Sequence, residues 1–127
     1  MKVSYQDGMR FTAEARGHEI TIDLPPEKGG GDAGMTPAEL LGSAFGACIG
    51  VYVISYLKSI KVDTAGTTIN VSFEQAKDPL RIGSLHAKVH VPAGIPEDRR
   101  VSVKRVAENC LIHQTLCNVP DMEMEFT

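Results

Sequence analysis

The chain predicts an α+β fold built on a mainly antiparallel sheet. Three observations carry that prediction. Short alternating apolar runs cluster before residue 25 and again after residue 66. A charge-free run stands between them, with a clear helix start. A second stretch with apolar residues at spacings of three and four follows the later strands.

Taken in order, 10–15 and 18–24 read as strands flanking the break Arg16-Gly17, with Ile20, Ile22 and Leu24 alternating against polar residues. Pro25-Pro26 ends the second strand, and the glycine run 28–34 reads as a mobile connector. It lacks the Gly-Lys-Ser/Thr ending and the GxGxxG spacing of a phosphate cradle. Thr36-Pro37-Ala38-Glu39 then supplies an N-cap hydroxyl, a proline at the first helical position and a carboxylate three residues past the cap. The helix is expected to run to about Lys58. Ile69, Val71 and Phe73 mark one later strand, and Leu85, Ala87, Val89 and Val91 mark another, with Lys77-Asp78-Pro79 turning between them. Pro96 is expected to open a second long helix with a stripe through Val103, Val106, Cys110 and Leu111, stopped by Asn118 and Pro120. Met122, Met124 and Phe126 alternate in a closing strand.

Composition sets the limits of function. The 127 residues suit one domain, 1–127. Thirteen Lys+Arg against sixteen Asp+Glu leave no clustered basic face for nucleic acid. From Leu40 to Leu57 no residue is charged, about the lower limit for spanning a bilayer. Three Gly, two Ser and two Tyr in that run favour a helix buried in protein, and no membrane partner is expected. It is too apolar for the surface of a monomer, so a homodimer that covers it is expected. Three Cys exclude a fully paired secreted framework, and the first residues carry no apolar signal run. A cytoplasmic protein with reduced thiols is the expectation.

The thiols are the candidates for chemistry. Cys48 lies between small residues in Gly46-Ala47-Cys48-Ile49-Gly50, and Cys110 in Glu108-Asn109-Cys110-Leu111-Ile112-His113. Either could be a small buried core residue. On one continuous helix Cys117 falls about 10 Å along the axis from Cys110, too far for a disulfide. Cys110, His113 and Cys117 share a face, but without a CxxC knuckle they indicate no metal, and no organic cofactor is indicated either.

At these residues the chain resembles the OsmC/Ohr proteins, organic hydroperoxide reductases and osmotically induced peroxidases. Gly34 to Leu41, followed by Ala44, Gly46, Ala47 and Cys48, looks like that family's first helix. Ala107 to Leu116 looks like its second-cysteine helix. The resemblance implies an intertwined homodimer with sheets wrapped around two long central helices and active sites at the subunit interface. It implies that Cys48 attacks a small hydroperoxide, that Cys110 resolves the sulfenic acid, and that a dithiol reduces the disulfide. Phe45 and Tyr52 would wall a pocket for bulky organic peroxides. Family members activate the first thiol with an Arg and a Glu. Here Gln6 and Ala38 occupy the aligned positions, so Arg10, Arg16 or a partner-chain Arg, and Glu39, stand as the nearest substitutes. Glu39 has a structural alternative as the third residue of a capping box. Two other functions stay open: a dimer binding a small apolar ligand, and a redox sensor cycling the Cys48–Cys110 disulfide without rapid turnover.

Overall fold

The computed structural model describes residues 1–127 as two compact units, Met1–Leu41 and Gly42–Thr127. The first unit is an antiparallel meander of β1 (Lys2–Asp7), β2 (Arg10–Ala15) and β3 (His18–Ile22). Its register sets Val3 against Ala13, Tyr5 against Phe11, Ala13 against Ile20 and Phe11 against Ile22. Because strand side chains alternate, these apolar residues fall on one face, and Ser4, Thr12 and Thr21 on the other. Tyr5 and Phe11 meet edge to face at 5.6 Å.

The glycine run is not the free connector its composition suggests. Asp23 is buried, and its carboxylate accepts from the amides of Leu24 (2.8 Å), Gly31 (3.1 Å) and Ala33 (3.1 Å). A buried carboxylate needs such donors, and the loop folds around this one. Gly30 could carry no side chain, since a Cβ there would stand 1.8 Å from the Leu24 carbonyl oxygen. Met35 rejoins Ile22 through an isolated parallel bridge.

Helix α1 (Pro37–Ser59) starts at the capping box and matches the expected extent. In the second unit it packs on an antiparallel pair, β4 (Thr68–Ala76) and β5 (Arg81–His90). Gly42, Gly46 and Gly50 recur at spacings of four on one helical face. They let Val71 and Ile69 of β4 approach the helix closely. Phe45, Ile49, Val53 and Leu57 form the core with Val91, Val103 and Cys110. Helix α1 is long and apolar enough to cross a membrane, and seven of its residues are buried within the protein. Val51 and Tyr52 remain exposed on its charge-free outer side.

Strand β1, over residues without a clear alternating run, pairs along β2. Two expectations are corrected. The second long helix is two short ones, α2 (Arg100–Glu108) and α3 (Leu111–Cys117), preceded by a 3-10 turn over Glu97–Arg99. The break lies at Cys110, whose backbone is extended (φ −64°, ψ 147°) where a helix would need ψ near −42°. There is accordingly one long helix, not two. The closing strand is absent: residues 119–127 form no secondary structure, and Met122, Met124 and Phe126 are exposed. An alternating segment becomes a strand only beside an edge that accepts its hydrogen bonds, and within the chain these residues have none.

Candidate functional site

The helix break that sequence periodicity hides is what forms the site. Helix α2 ends at Glu108, and Cys110 becomes the N-cap of α3, its sulfur accepting from the His113 amide at 3.3 Å. The next orphan donor of the same turn, the Ile112 amide, reaches the Cys48 sulfur of α1 at 3.4 Å. A helix leaves its first amides without intrahelical partners, and here two of them end on the two thiols. Cys48 and Cys110, 62 residues apart in the chain, thus meet neighbouring amides of one helical turn.

Their environments differ. Cys110 is fully buried, whereas Cys48 is part-exposed. Burial pushes the Cys110 thiol above its ordinary value. The His113 amide opposes that shift, and the neighbouring Cys48 sulfur adds to it. All three cysteines are free thiols.

His113 joins three features of this corner. Its amide caps with Cys110, its ring stacks on Phe45 (centroids 6.2 Å apart, planes at 27°), and its ring nitrogens lie 3.9 and 4.0 Å from the Cys117 sulfur. Cys117 is exposed and takes no part in the Cys48–Cys110 contact. No three His, Cys, Asp or Glu side chains converge in a metal-holding group.

Residues of α1, β5 and α2 enclose an open cleft of about 350 Å³, which neither thiol lines. Phe45, Ile49, Val53, Val89 and Val103 make its apolar wall, with Arg100, Lys104, Glu108 and His113 also lining it. Tyr52 does not share this cleft. It lines a separate groove with Val51, Ser55, Tyr56 and Val106, about 10 Å further along the α1 axis than Phe45. The expectation that Phe45 and Tyr52 wall one pocket is therefore corrected.

The two other sequence candidates lie in the first unit, each with a local partner. Arg10 is ion-paired to Asp7, and both side chains are largely exposed. Glu39 completes the capping box: its carboxylate accepts from the Thr36 amide (2.7 Å) and hydroxyl (2.9 Å), which hold it below the usual carboxylate range. The Thr36 hydroxyl in turn receives the Glu39 amide at 3.3 Å. Gln6, at the position aligned with the family Arg, donates to the Thr12 hydroxyl at 2.9 Å.

The family model described as OsmC-like protein matches residues 29–125. A protein of Psychrobacter arcticus, called an osmotic stress induced and detoxification response protein, superposes with a TM-score of 0.83 at 24% identity, over 90% of this chain and 85% of its own. An OsmC-like protein of Mycoplasma pneumoniae gives 0.66 at 24% identity, over 87% and 80%. An organic hydroperoxide resistance protein, OsmC, of Legionella pneumophila gives 0.61 at 16% identity, over 91% and 92%. These structural likenesses are likenesses of fold. No curated protein matches the chain in sequence.

Proposed function

The chain belongs to the OsmC-like protein family, and on that premise we propose that it is a thiol-dependent peroxidase reducing organic hydroperoxides through two cysteines. The family and its hydroperoxide-resistance members support a redox role in peroxide resistance generally. The observation that carries the finer reading is the meeting of Cys48 and Cys110 at the first turn of α3. Cys48 is part-exposed and Cys110 buried, so Cys48 is the sulfur a peroxide can reach. Its attack breaks the O–O bond, giving Cys48 sulfenic acid and releasing an alcohol. Cys110 then displaces hydroxide from that sulfur, its own proton completing the water that leaves, and a disulfide forms. A dithiol reductant returns both thiols by two exchange steps.

Arg10 and Glu39 are engaged with Asp7 and Thr36, and the reading rests on the two thiols without them. The same engagements favour a second reading, a redox-sensing dimer that forms the disulfide but turns over slowly. A cytoplasmic homodimer belongs to both readings. The charge-free side of α1 bearing Val51 and Tyr52, and the exposed apolar tail, support the dimer.

Steady-state consumption of cumene hydroperoxide and hydrogen peroxide with a dithiol tests the proposal, beside Cys48→Ser and Cys110→Ser. Sustained turnover that prefers the organic peroxide and vanishes in Cys48→Ser is the expected result. A wild-type rate equal to that of Cys48→Ser overturns the peroxidase, and a single stoichiometric burst leaves the sensor.

A further inference from the structure

The acceptors that cap α3 are the two atoms the chemistry consumes. Its second and third amides, Ile112 and His113, end on the sulfurs of Cys48 and Cys110. The helix is only seven residues long and contains no fully buried residue. A helix this short is not stable on its own, so its caps, the packing of Ile112 on the core and the Phe45–His113 stack decide whether it holds.

We infer that α3 is a redox-responsive segment, capped and closed while Cys48 and Cys110 are thiols and released when they become a disulfide. Bond formation draws each sulfur toward the other and away from its amide. Thiol and disulfide sulfur are both weak acceptors, so a small displacement is enough to lose both caps in one step. What remains at the first turn is the packing of Ile112 on the core, the Phe45–His113 stack and the bond from the Gln114 side chain to the Glu108 carbonyl. Release frees Leu111–Cys117 and lifts the cover from Cys110, which is fully buried in the thiol form. A dithiol reductant has to reach a sulfur of the disulfide in line with the S–S bond. The switch therefore presents the oxidised protein, and not the reduced one, to its reductant. The inference rests on the two-cysteine reading, from which it takes the disulfide.

The test uses the full chain carrying Cys117→Ser, so that Cys48 and Cys110 are the only thiols. Diamide oxidises the pair without any peroxide: its N=N bond takes up the two hydrogens to become a hydrazine while the sulfurs join. Peptide mapping confirms the Cys48–Cys110 link, and amide hydrogen exchange is followed in the reduced and oxidised forms. Loss of two caps predicts exchange faster by on the order of tenfold or more over 112–117, with β4 and β5 unchanged. In Cys48→Ser, Cys117→Ser protein, diamide should leave that exchange as it was. A confirmed disulfide with unchanged exchange over 112–117 overturns the inference, as does acceleration spread equally over β4 and β5. Failure of the disulfide to form overturns both the switch and the two-cysteine mechanism. Release of α3 in a protein without peroxide turnover supports the switch while removing the peroxidase.

Discussion

Replacing Gly42, Gly46 and Gly50 one at a time by alanine should give three different stabilities from one chemical change. Each glycine lies inside α1, where alanine gains about 1 kcal/mol from helix propensity. Steric cost separates them. At Gly42 a Cβ would sit 3.6 Å from Val71 Cγ1, an ordinary contact, so Gly42→Ala should be stabilising by up to about 1 kcal/mol. At Gly50 it would stand 3.1 Å from Ile69 Cδ1, the free end of a flexible chain, and a small shift leaves the sum near zero. At Gly46 it would stand 2.8 Å from Val71 Cγ2 and 3.6 Å from Ile69 Cγ2. Valine is stiff at χ1 and Val71 is held in the β4–β5 ladder opposite Ala87, so β4 itself has to move. Overpacking of this kind costs about 1–3 kcal/mol, leaving Gly46→Ala destabilised by about 0–2 kcal/mol after the propensity gain. Urea unfolding at one fixed protein concentration measures the order, the fixed concentration removing any contribution from association. Equal stability of Gly46→Ala and Gly42→Ala would refute the claim that the glycines exist to admit β4.

The core and the titrating groups give three further expectations. Leu57 is fully buried, so Leu57→Ala should cost about 2–5 kcal/mol in the same urea experiment; a cost below about 1 kcal/mol would place it outside the core. Iodoacetamide should label exposed Cys117 first and buried Cys110 last, with the Cys110 rate rising at higher pH than for a free thiol. Because the folded state holds Cys110 protonated, its contribution to stability is complete below the unfolded value of about 8.5 and is lost as pH rises through the folded one. Mass mapping of the labelled peptides checks the order. Asp23 has the opposite sign: the amides of Ala33, Leu24 and Gly31 hold its carboxyl low, against desolvation, with Arg10 helping. Its stabilisation is complete above about pH 4 and is lost as pH falls through the depressed folded value. Asp23→Ala should speed hydrogen exchange at the Gly31 and Ala33 amides, while protection that survives would show the loop held by other means.

The legible parts of the fold are those whose signals are local. Thr36, Pro37 and Glu39 announce α1 within four residues, and Ile69, Val71, Leu85 and Val89 write β4 and β5 in their alternation. The connector was misread because glycines show freedom, while Asp23, seven residues before Gly30, shows nothing of the three amides it accepts. The break at Cys110 has the same origin. Its apolar stripe continues into Leu111, and half of the capping comes from Cys48, far away in the chain. The candidate thiols were legible through their resemblance to a family, but their contact was not. Met122, Met124 and Phe126 carry a strand pattern that this chain alone does not pair.

The central claim is that Cys48 and Cys110 form one redox pair. Its most direct test is the mass map of Cys117→Ser protein after one equivalent of cumene hydroperoxide, digested without reduction. A single crosslink joining the Cys48 and Cys110 peptides, two hydrogens lighter than the reduced pair, is the expected product, with Cys110→Ser protein halting at a Cys48 sulfenic acid that dimedone traps. A Cys48 that stays unmodified while peroxide is consumed, or a dimedone adduct on Cys110 in its place, would contradict the account.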